Sequence, residues 1–169
     1  ADVSFHGHNY FSYVATCDQV IHDHIISLGL HSVMTSNQHE RCSDRCSQAL
    51  DILEERLSLV FDLIVMIQGD EPLVDSSMIK KSVAPFFKDD SINVVNLISP
   101  IRTQSELISQ NTIKVVFDLN MYGLFFSRSP IPSSPLDINL HYKQVCVIPF
   151  RRQYLKLYNE LAPTDLEIS

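Results

Sequence analysis

Hydrophobic positions along the chain switch repeatedly between short continuous runs, typical of strands, and a spacing of three to four residues, typical of helices. The runs predict strands at 10–16, 31–35, 63–67, 92–98, 113–117, 122–127 and 144–148. The helical spacing predicts helices at about 19–28, 46–57, 76–87 and 151–161, with a short one after position 103. The uninterrupted apolar run at 63–67 is typical of a parallel strand buried on both faces. This succession predicts an α/β fold.

Residues at the ends of these segments indicate where helices and turns begin. Asp18, and either Asp75 or Ser76, are expected to cap helices, because their side chains can accept the first free backbone amides. Gly29 is expected to end the first of these helices. A polar turn inside 113–127 predicts a hairpin, and the proline-rich segment that follows it predicts a loop.

Length and charge exclude several classes of protein. The chain has 169 residues, which predicts a single domain over 1–169. Thirteen Lys and Arg residues against twenty Asp and Glu residues give a net charge of −7, which argues against sequence-independent binding to nucleic acid or to an anionic membrane. Apolar runs stay below the roughly 18 residues needed to cross a bilayer. We therefore expect a cytoplasmic protein with neither nucleic-acid nor membrane partners.

The four cysteines are Cys17, Cys42, Cys46 and Cys146, and we expect them to be reduced thiols. Cys42 and Cys46 are four residues apart and share a helix face, but no second close pair completes a zinc site. The seven histidines are expected to be solvated side chains rather than metal ligands.

The first segment that can carry chemistry is Gln68-Gly69-Asp70-Glu71-Pro72, directly after the best predicted strand. Ligand sites in open α/β sheets form beyond the carboxyl ends of strands. Gly69 permits close approach of a ligand to the backbone, and Asp70 is a hard oxygen donor suited to magnesium. Adjacent carboxylates usually point apart, so the pair is not automatically an acid–base couple. A simple polar turn from strand to helix explains the position equally well.

The second segment is His39-Glu40-Arg41-Cys42-Ser43-Asp44-Arg45, at the start of a predicted helix. Guanidinium groups and free helix amides can bind a phosphate or a base. Charged helix entries are more often only solvated, and by itself the pattern favours that interpretation.

Four further segments follow one another along the chain: Val14-Ala15-Thr16-Cys17-Asp18, Val33-Met34-Thr35 with His39 and Ser43-Asp44-Arg45, Lys114-Val115-Val116-Phe117-Asp118, and Phe126-Ser127-Arg128-Ser129-Pro130-Ile131-Pro132. In this order they resemble the motifs VATDD, MT…H.SGTDR, KVV.D and FSR..IP of the cytidylyltransferases that activate 3-deoxy-manno-octulosonate (Kdo) and related sugar acids. The segment 68–72 is identical to QGDEP. The ordered set is much more specific than any one motif.

This resemblance implies a fold and a reaction. The fold is a three-layer α/β sandwich, the Rossmann-like nucleotide-diphospho-sugar transferase fold, with a mostly parallel sheet. The reaction transfers CMP from CTP to a 2-keto-3-deoxy sugar acid with release of pyrophosphate, a step of lipopolysaccharide biosynthesis, and uses Mg²⁺. The partners implied are CTP, the sugar acid and a second copy of the chain in a homodimer.

The resemblance also implies roles for individual residues. Asp70 is the metal ligand and, with Gln68, a catalytic residue, and Gln68 also approaches the sugar acid. The other implied substrate-binding residues are Ser43, Asp44 and Arg45 near the cytidine, together with Arg128 and Gln144. Gln144 replaces the histidine that contacts the sugar acid in the family, so the acid need not be Kdo itself.

Two family segments have no counterpart here, the phosphate loop PAR..S.R.PGKPL and the VDTPEDL segment with a second magnesium ligand. Thr164-Asp165-Leu166-Glu167 also fits a capping box that the chain does not continue. We therefore expect an incomplete domain that is inactive alone. Alternatives are a nucleotidyltransferase for another acid sugar, such as a sialic-acid analogue, and a catalytically silent binding or dimerisation module of the same fold.

Overall fold

The computed structural model describes residues 3–5, 8–133 and 137–165, with side chains from Tyr10 onward. Its strands are β1 (Val3–Phe5), β2 (His8–Tyr10), β3 (Val14–Thr16), β4 (Ser32–Met34), β5 (Leu63–Ile67), β6 (Leu97–Pro100), β7 (Lys114–Phe117), β8 (Gly123–Ser127), β9 (Tyr142–Val145) and β10 (Val147–Arg151). Its helices are α1 (Gln19–Ser27), α2 (Cys42–Leu57), α3 (Ser76–Val83), α4 (Gln104–Ile108) and α5 (Arg152–Glu160). Short 3₁₀ turns occupy Ala84–Phe87 and Ile138–Leu140. The predicted α/β character is confirmed.

The chain forms two compact units, residues 1–64 with 151–169 and residues 65–150. In the first unit β3 and β4 pair in parallel, and α1 lies between them in the sequence. Its core is a cluster of Val33, Ala49 and Leu53. In the second unit β6, β9, β7 and β8 lie in that order in one antiparallel sheet. Strand β5 pairs with β10, and the chain passes from one unit to the other within both strands.

The expected mostly parallel sheet is not what the described strands show. Parallel pairing occurs between β3 and β4, whereas the four-stranded sheet is antiparallel throughout. Parallel neighbours need a crossover of a dozen or more residues, and only five residues connect β7 to β8. Strand β5 is half-buried rather than buried on both faces, and its last residue, Ile67, is exposed.

Helix ends and turns follow the predicted polar residues closely. Asp18 accepts hydrogen bonds from the amides of Val20 and Ile21, and Asp75 does the same at the start of α3. Gly29 takes a positive φ of 72° after α1, a conformation that glycine adopts without strain. The hairpin at 113–127 is confirmed, with the carboxylate of Asp118 accepting two backbone amides in its turn.

Several sequence predictions differ from the structure in extent or in burial. The strand expected at 10–16 is confined to β3 at 14–16, and the one at 92–98 begins only at Leu97. The apolar stripe of α1 has no buried residue, and Ile21 and Leu28 are about half exposed. Glu167, the last residue of the predicted capping box, and Pro135 of the predicted loop lie outside the described residues. Among the described helices, none is long and apolar enough to cross a membrane.

A carboxylate–guanidinium pair stabilises the first unit. Both carboxylate oxygens of Glu54 accept hydrogen bonds of 2.7 Å from Arg152, and Oε1 also accepts the Phe61 amide at 3.1 Å. The hydrogen bond from Arg152 is the main cause that holds the pKa of Glu54 below its ordinary value. The stability that this pair contributes is present above the unfolded-state pKa of about 4.3 and is lost as the pH falls through the lower folded-state pKa.

We expect Glu54→Gln to lower the melting temperature at pH 7 by about 2–5 °C, because it removes the charge from both hydrogen bonds to Arg152. At pH 3 the difference from the parent is expected to shrink, since the parent's carboxylate is then being protonated. Thermal melts followed by circular dichroism at the two pH values measure this, with Glu55→Gln at an exposed neighbouring position as the control. A deficit of equal size at both pH values would contradict an electrostatic origin.

Candidate active site

The turn after β5 is anchored at both ends to the peptide of Cys146. The amide of Gln68 donates to the carbonyl of Cys146 at 3.2 Å, and the Cys146 amide donates to Oε1 of Glu71 at 2.8 Å. The turn itself is closed by a hydrogen bond of 3.2 Å from the Glu71 amide to the carbonyl of Gln68. Gly69 and Asp70 are therefore the two residues that project between these anchors.

This turn borders an open cavity of about 580 Å³ within the second unit. Besides apolar side chains from three elements, its polar lining residues are Asp70, Glu71, Lys81, Ser99, Asn111, Thr112, Lys143 and Gln144. Carboxylates, ammonium groups and neutral hydrogen-bonding groups therefore meet around one space. Such a mixture suits a polar, charged small molecule.

The two adjacent carboxylates of the turn have different surroundings. Asp70 is exposed, and none of the described residues gives its side chain a hydrogen-bond partner. Glu71 is half-buried, and its carboxylate binds the Cys146 amide. Asp70 is thus the carboxylate left available to a ligand, although both residues line the cavity.

Nothing in the described fold requires a glycine at position 69. Its φ lies outside the left-handed region, and a Cβ built there would have no neighbour within 4 Å. The absence of a side chain leaves the backbone of the turn uncovered at this position.

The lysine and amide side chains on the cavity wall are held by defined partners. Lys143 donates to Oε1 of Glu106 at 2.5 Å, and this bond is the main cause that holds the pKa of Glu106 below its ordinary value. The side-chain amide of Gln144 donates to Oδ1 of Asn96 at 3.0 Å, and its backbone amide donates to the carbonyl of Ile113 at 2.8 Å. Both wall residues are therefore fixed in place by the protein.

A buried lysine organises the loop that contributes Asn111 and Thr112 to the wall. Lys114 has no exposed surface, and its ammonium group donates to the carbonyls of Ser109, Thr112 and Arg128 at 2.6, 3.0 and 2.5 Å. Burial lowers the pKa of Lys114, and the nearby charge of Arg128 adds to the effect. The lysine therefore ties the 109–112 loop to the end of β8.

Arg128 itself lies on the outside of this arrangement. Its side chain is exposed and donates to the carbonyl of Gln110 at 2.7 Å. Arg128 and Gln68 are not among the residues that line the cavity, whereas Asp70 and Gln144 are.

The charged cluster at 39–45 lies in the first unit, at the start of α2. Asp44 forms a two-point contact with the Arg41 guanidinium, whose centre lies 5.7 Å from the centroid of the Tyr158 ring. Ser43 is buried, and its carbonyl accepts a hydrogen bond from Asn159. The cluster is therefore built into contacts with α5 and is more than a solvated helix entry.

Two side chains of α2 shape the loop that follows β4. Arg45 donates to Oγ1 of Thr35 at 2.6 Å and to the carbonyl of Ser36 at 3.2 Å. Oε1 of Gln48 accepts the Ser36 amide and contacts Nε2 of His39, both at 2.7 Å. Sequence reasoning missed Gln48, and it also missed Lys81 and Lys143 on the wall. Lys143 directly precedes Gln144, so its place in that strand was the available signal.

The cysteines are free thiols, as expected. Burial raises the pKa of Cys46 to about 11, with the neighbouring Cys42 as the second cause. Within the described ranges, no three His, Cys, Asp or Glu side chains are grouped so that they could hold a metal ion.

Comparisons with known proteins identify the family. A family model described as cytidylyltransferase matches residues 8–168. The chain belongs to this family. It is 34% identical to the 3-deoxy-manno-octulosonate cytidylyltransferase of Geotalea uraniireducens and 31% identical to that of Fusobacterium nucleatum, over 92% and 91% of its own length. The structure of CMP:2-keto-3-deoxy-manno-octonic acid synthetase complexed with CTP matches 92% of the chain at a TM-score of 0.77 and 28% identity.

The chain spans 64% of the Geotalea cytidylyltransferase, 61% of the Fusobacterium one and 62% of the solved synthetase chain. The resemblance first noted in the ordered motifs is thereby confirmed at the level of the family.

Proposed function

We propose that the protein transfers CMP from CTP to a 2-keto-3-deoxy sugar acid, Kdo or a relative, and releases pyrophosphate. Family membership and the names of the similar proteins support this reaction. The observation that carries it is Asp70, an exposed carboxylate without a described partner that borders a polar cavity directly after β5. Because the proposed donor is CTP, a nucleotide of the cytoplasm, we also propose a cytoplasmic location.

We infer that both compact units belong to one domain of the Rossmann-like nucleotide-diphospho-sugar transferase class, with helices on both sides of the sheet. The family match supports this because it runs across both units, from 8 to 168. The TM-score of 0.77 to the solved synthetase supports the same fold.

Asp70 is the residue we propose as a Mg²⁺ ligand. Mg²⁺ is commonly bound through one or two carboxylates together with substrate phosphates and water, so a single available carboxylate fits it. When bound, the ion would offset negative charge on the phosphates of CTP. The anomeric hydroxyl oxygen of the sugar acid would form a bond to the α-phosphorus as the bond to pyrophosphate breaks, and the hydroxyl proton would pass to solvent water.

The remaining site residues are proposed to bind substrates. Gln144, fixed against Asn96 on the cavity wall, would face the sugar acid, and Gln68 would approach it from the turn. Ser43, Asp44 and Arg45 would lie near the cytidine, and Arg128 would bind substrate from the outer end of β8. The support for these roles is the match between their segments and the family motifs.

Nucleotide titration tests the proposal. We expect isothermal calorimetry of the full-length protein with Mg²⁺ present to show CTP binding at least tenfold tighter than ATP, GTP or UTP. Pyrophosphate release with CTP and Kdo would establish the reaction. Equal affinity for all four nucleotides would reject the assignment of the base, and tight CTP binding without product from any sugar acid would favour the catalytically silent module.

A homodimer is proposed along the edge of the sheet formed by β8. In the four-stranded sheet this strand has β7 as its described neighbour, and Leu124 and Phe125 on it are more than half exposed. Unpaired apolar edges favour association. Sedimentation of the parent and of Leu124→Glu measures this, and a parent that sediments as a monomer would overturn it.

A further inference from the structure

Cys146 occupies an unusual position between two strands. Strand β9 ends at Val145 and β10 begins at Val147, so Cys146 is the one residue between them. Both of its peptide groups are used by the turn after β5, the carbonyl by the Gln68 amide and the amide by the Glu71 carboxylate. The backbone amide of Cys146 thus donates to a side chain that lies 75 positions away in the sequence.

The bond at Glu71 anchors the far end of the turn. Gln68 is anchored at the near end, and the carbonyl of Glu71 accepts the Val74 amide at 3.2 Å, which leads directly into the capped start of α3. Gly69 and Asp70 are the two residues between these anchors. Since no described side chain or backbone group holds the Asp70 carboxylate, its location depends on how firmly the turn is anchored.

We propose that Glu71 is a positioning residue. Its carboxylate binds the Cys146 amide, a contact that we call the latch, and thereby holds the turn so that Asp70 lies at the cavity. This inference rests on the proposed function insofar as Asp70 is the metal ligand. The role needs an acceptor that reaches the Cys146 amide. It does not need a negative charge, because the partner is a neutral N–H group.

Three substitutions of Glu71 separate its role as a hydrogen-bond acceptor from its negative charge. Glu71→Gln keeps an oxygen acceptor at the same reach and loses the charge, whereas Glu71→Asp keeps the charge and withdraws it by one methylene. Glu71→Ala removes both. Glu55→Ala, an exposed carboxylate on α2, is the matched control.

The first measurement is hydrogen exchange of the Cys146 amide, followed by NMR, which reports on the latch itself without any assay of activity. We expect exchange to accelerate at least tenfold in Glu71→Ala and Glu71→Asp, and to stay within about threefold of the parent in Glu71→Gln and Glu55→Ala. Unchanged exchange in Glu71→Ala and Glu71→Asp would overturn the latch.

The second measurement is Mn²⁺ binding to the CTP-loaded protein by electron paramagnetic resonance. We expect the dissociation constant to rise about five- to tenfold in Glu71→Ala and Glu71→Asp, and less than twofold in Glu71→Gln. Equal weakening in Glu71→Gln and Glu71→Ala would overturn the inference, since Glu71 would then act through its charge as a metal ligand.

The two proposals fail in different ways. If Asp70→Asn leaves Mn²⁺ affinity unchanged, the metal role of Asp70 is rejected and the presentation of a ligand is rejected with it. The exchange rates of Cys146 still decide the latch. If Asp70→Asn abolishes Mn²⁺ binding while Glu71→Ala has no effect on it, the proposed function stands and the positioning role is overturned.

Discussion

In the full-length protein, replacing Asp70 by Asn is expected to lower the rate of pyrophosphate release by at least about a hundredfold, while the melting temperature changes by less than about 2 °C. The substitution exchanges an anionic oxygen ligand for a neutral amide of nearly the same shape. The large loss of activity follows because Mg²⁺ prefers carboxylate oxygens and offsets charge on the phosphates during transfer. The small change in stability follows because Asp70 is exposed and has no described partner in the fold.

Glu71→Gln is the comparison for this variant, and we expect it to lose less than about fivefold in rate. The amide oxygen can still accept the Cys146 N–H group, so the turn stays anchored. A parental rate in Asp70→Asn would reject the metal role. Losses of equal size in the two variants would show instead that both carboxylates serve the metal.

Replacing Lys114 by Met is expected to produce the largest loss of stability, about 3 kcal/mol, or a fall of about 6–12 °C in melting temperature. Methionine fills much of the same volume but donates no hydrogen bond. The carbonyls of Ser109, Thr112 and Arg128 would each lose a charged donor whose own side chain has no exposed surface. Buried acceptors that lose a partner carry the full cost of their desolvation.

Differential scanning calorimetry measures the effect, with the exposed lysine in Lys88→Met as the control at less than about 0.5 kcal/mol. A melting temperature within about 2 °C of the parent in Lys114→Met would show that the loop at 109–112 is held by other contacts. Lys114 belongs to a segment that matched a family motif, yet the structure gives it a role in holding backbone. A residue of a family motif can therefore stabilise a loop beside the site without lining the cavity itself.

Local features of the fold were predictable from the sequence because they depend on neighbours in the chain. Asp18 and Asp75 cap helices through amides two and three positions later, and Gly29 follows α1 with the positive φ that glycine permits. The hairpin at 113–127 depends in the same way on a short polar turn. The bounds of β5, Leu63–Ile67, agree with its apolar run for the same reason.

The order of the strands was not predictable in this way. A continuous apolar run indicates burial, but parallel and antiparallel neighbours satisfy it equally well. Strand β9 lies between β6, which is more than forty residues earlier in the chain, and β7, which is about thirty residues earlier. No local pattern in the sequence indicates such a pairing. The expectation of a mostly parallel sheet was therefore wrong for the four-stranded sheet of the second unit.

The sequence by itself determined the family, the helix ends, the hairpin and the segment that carries Asp70. These rest on ordered motifs and on contacts between residues close in the chain. Only the tertiary structure decided that Asp70 is the available carboxylate and that Glu71 is engaged at 2.8 Å by the amide of Cys146. It also decided that Lys114 is buried under three carbonyls and that Lys143 lies on the cavity wall. The physical reason is that side chains of the same type take different roles because the fold gives them different partners. Those partners lie far away in the sequence.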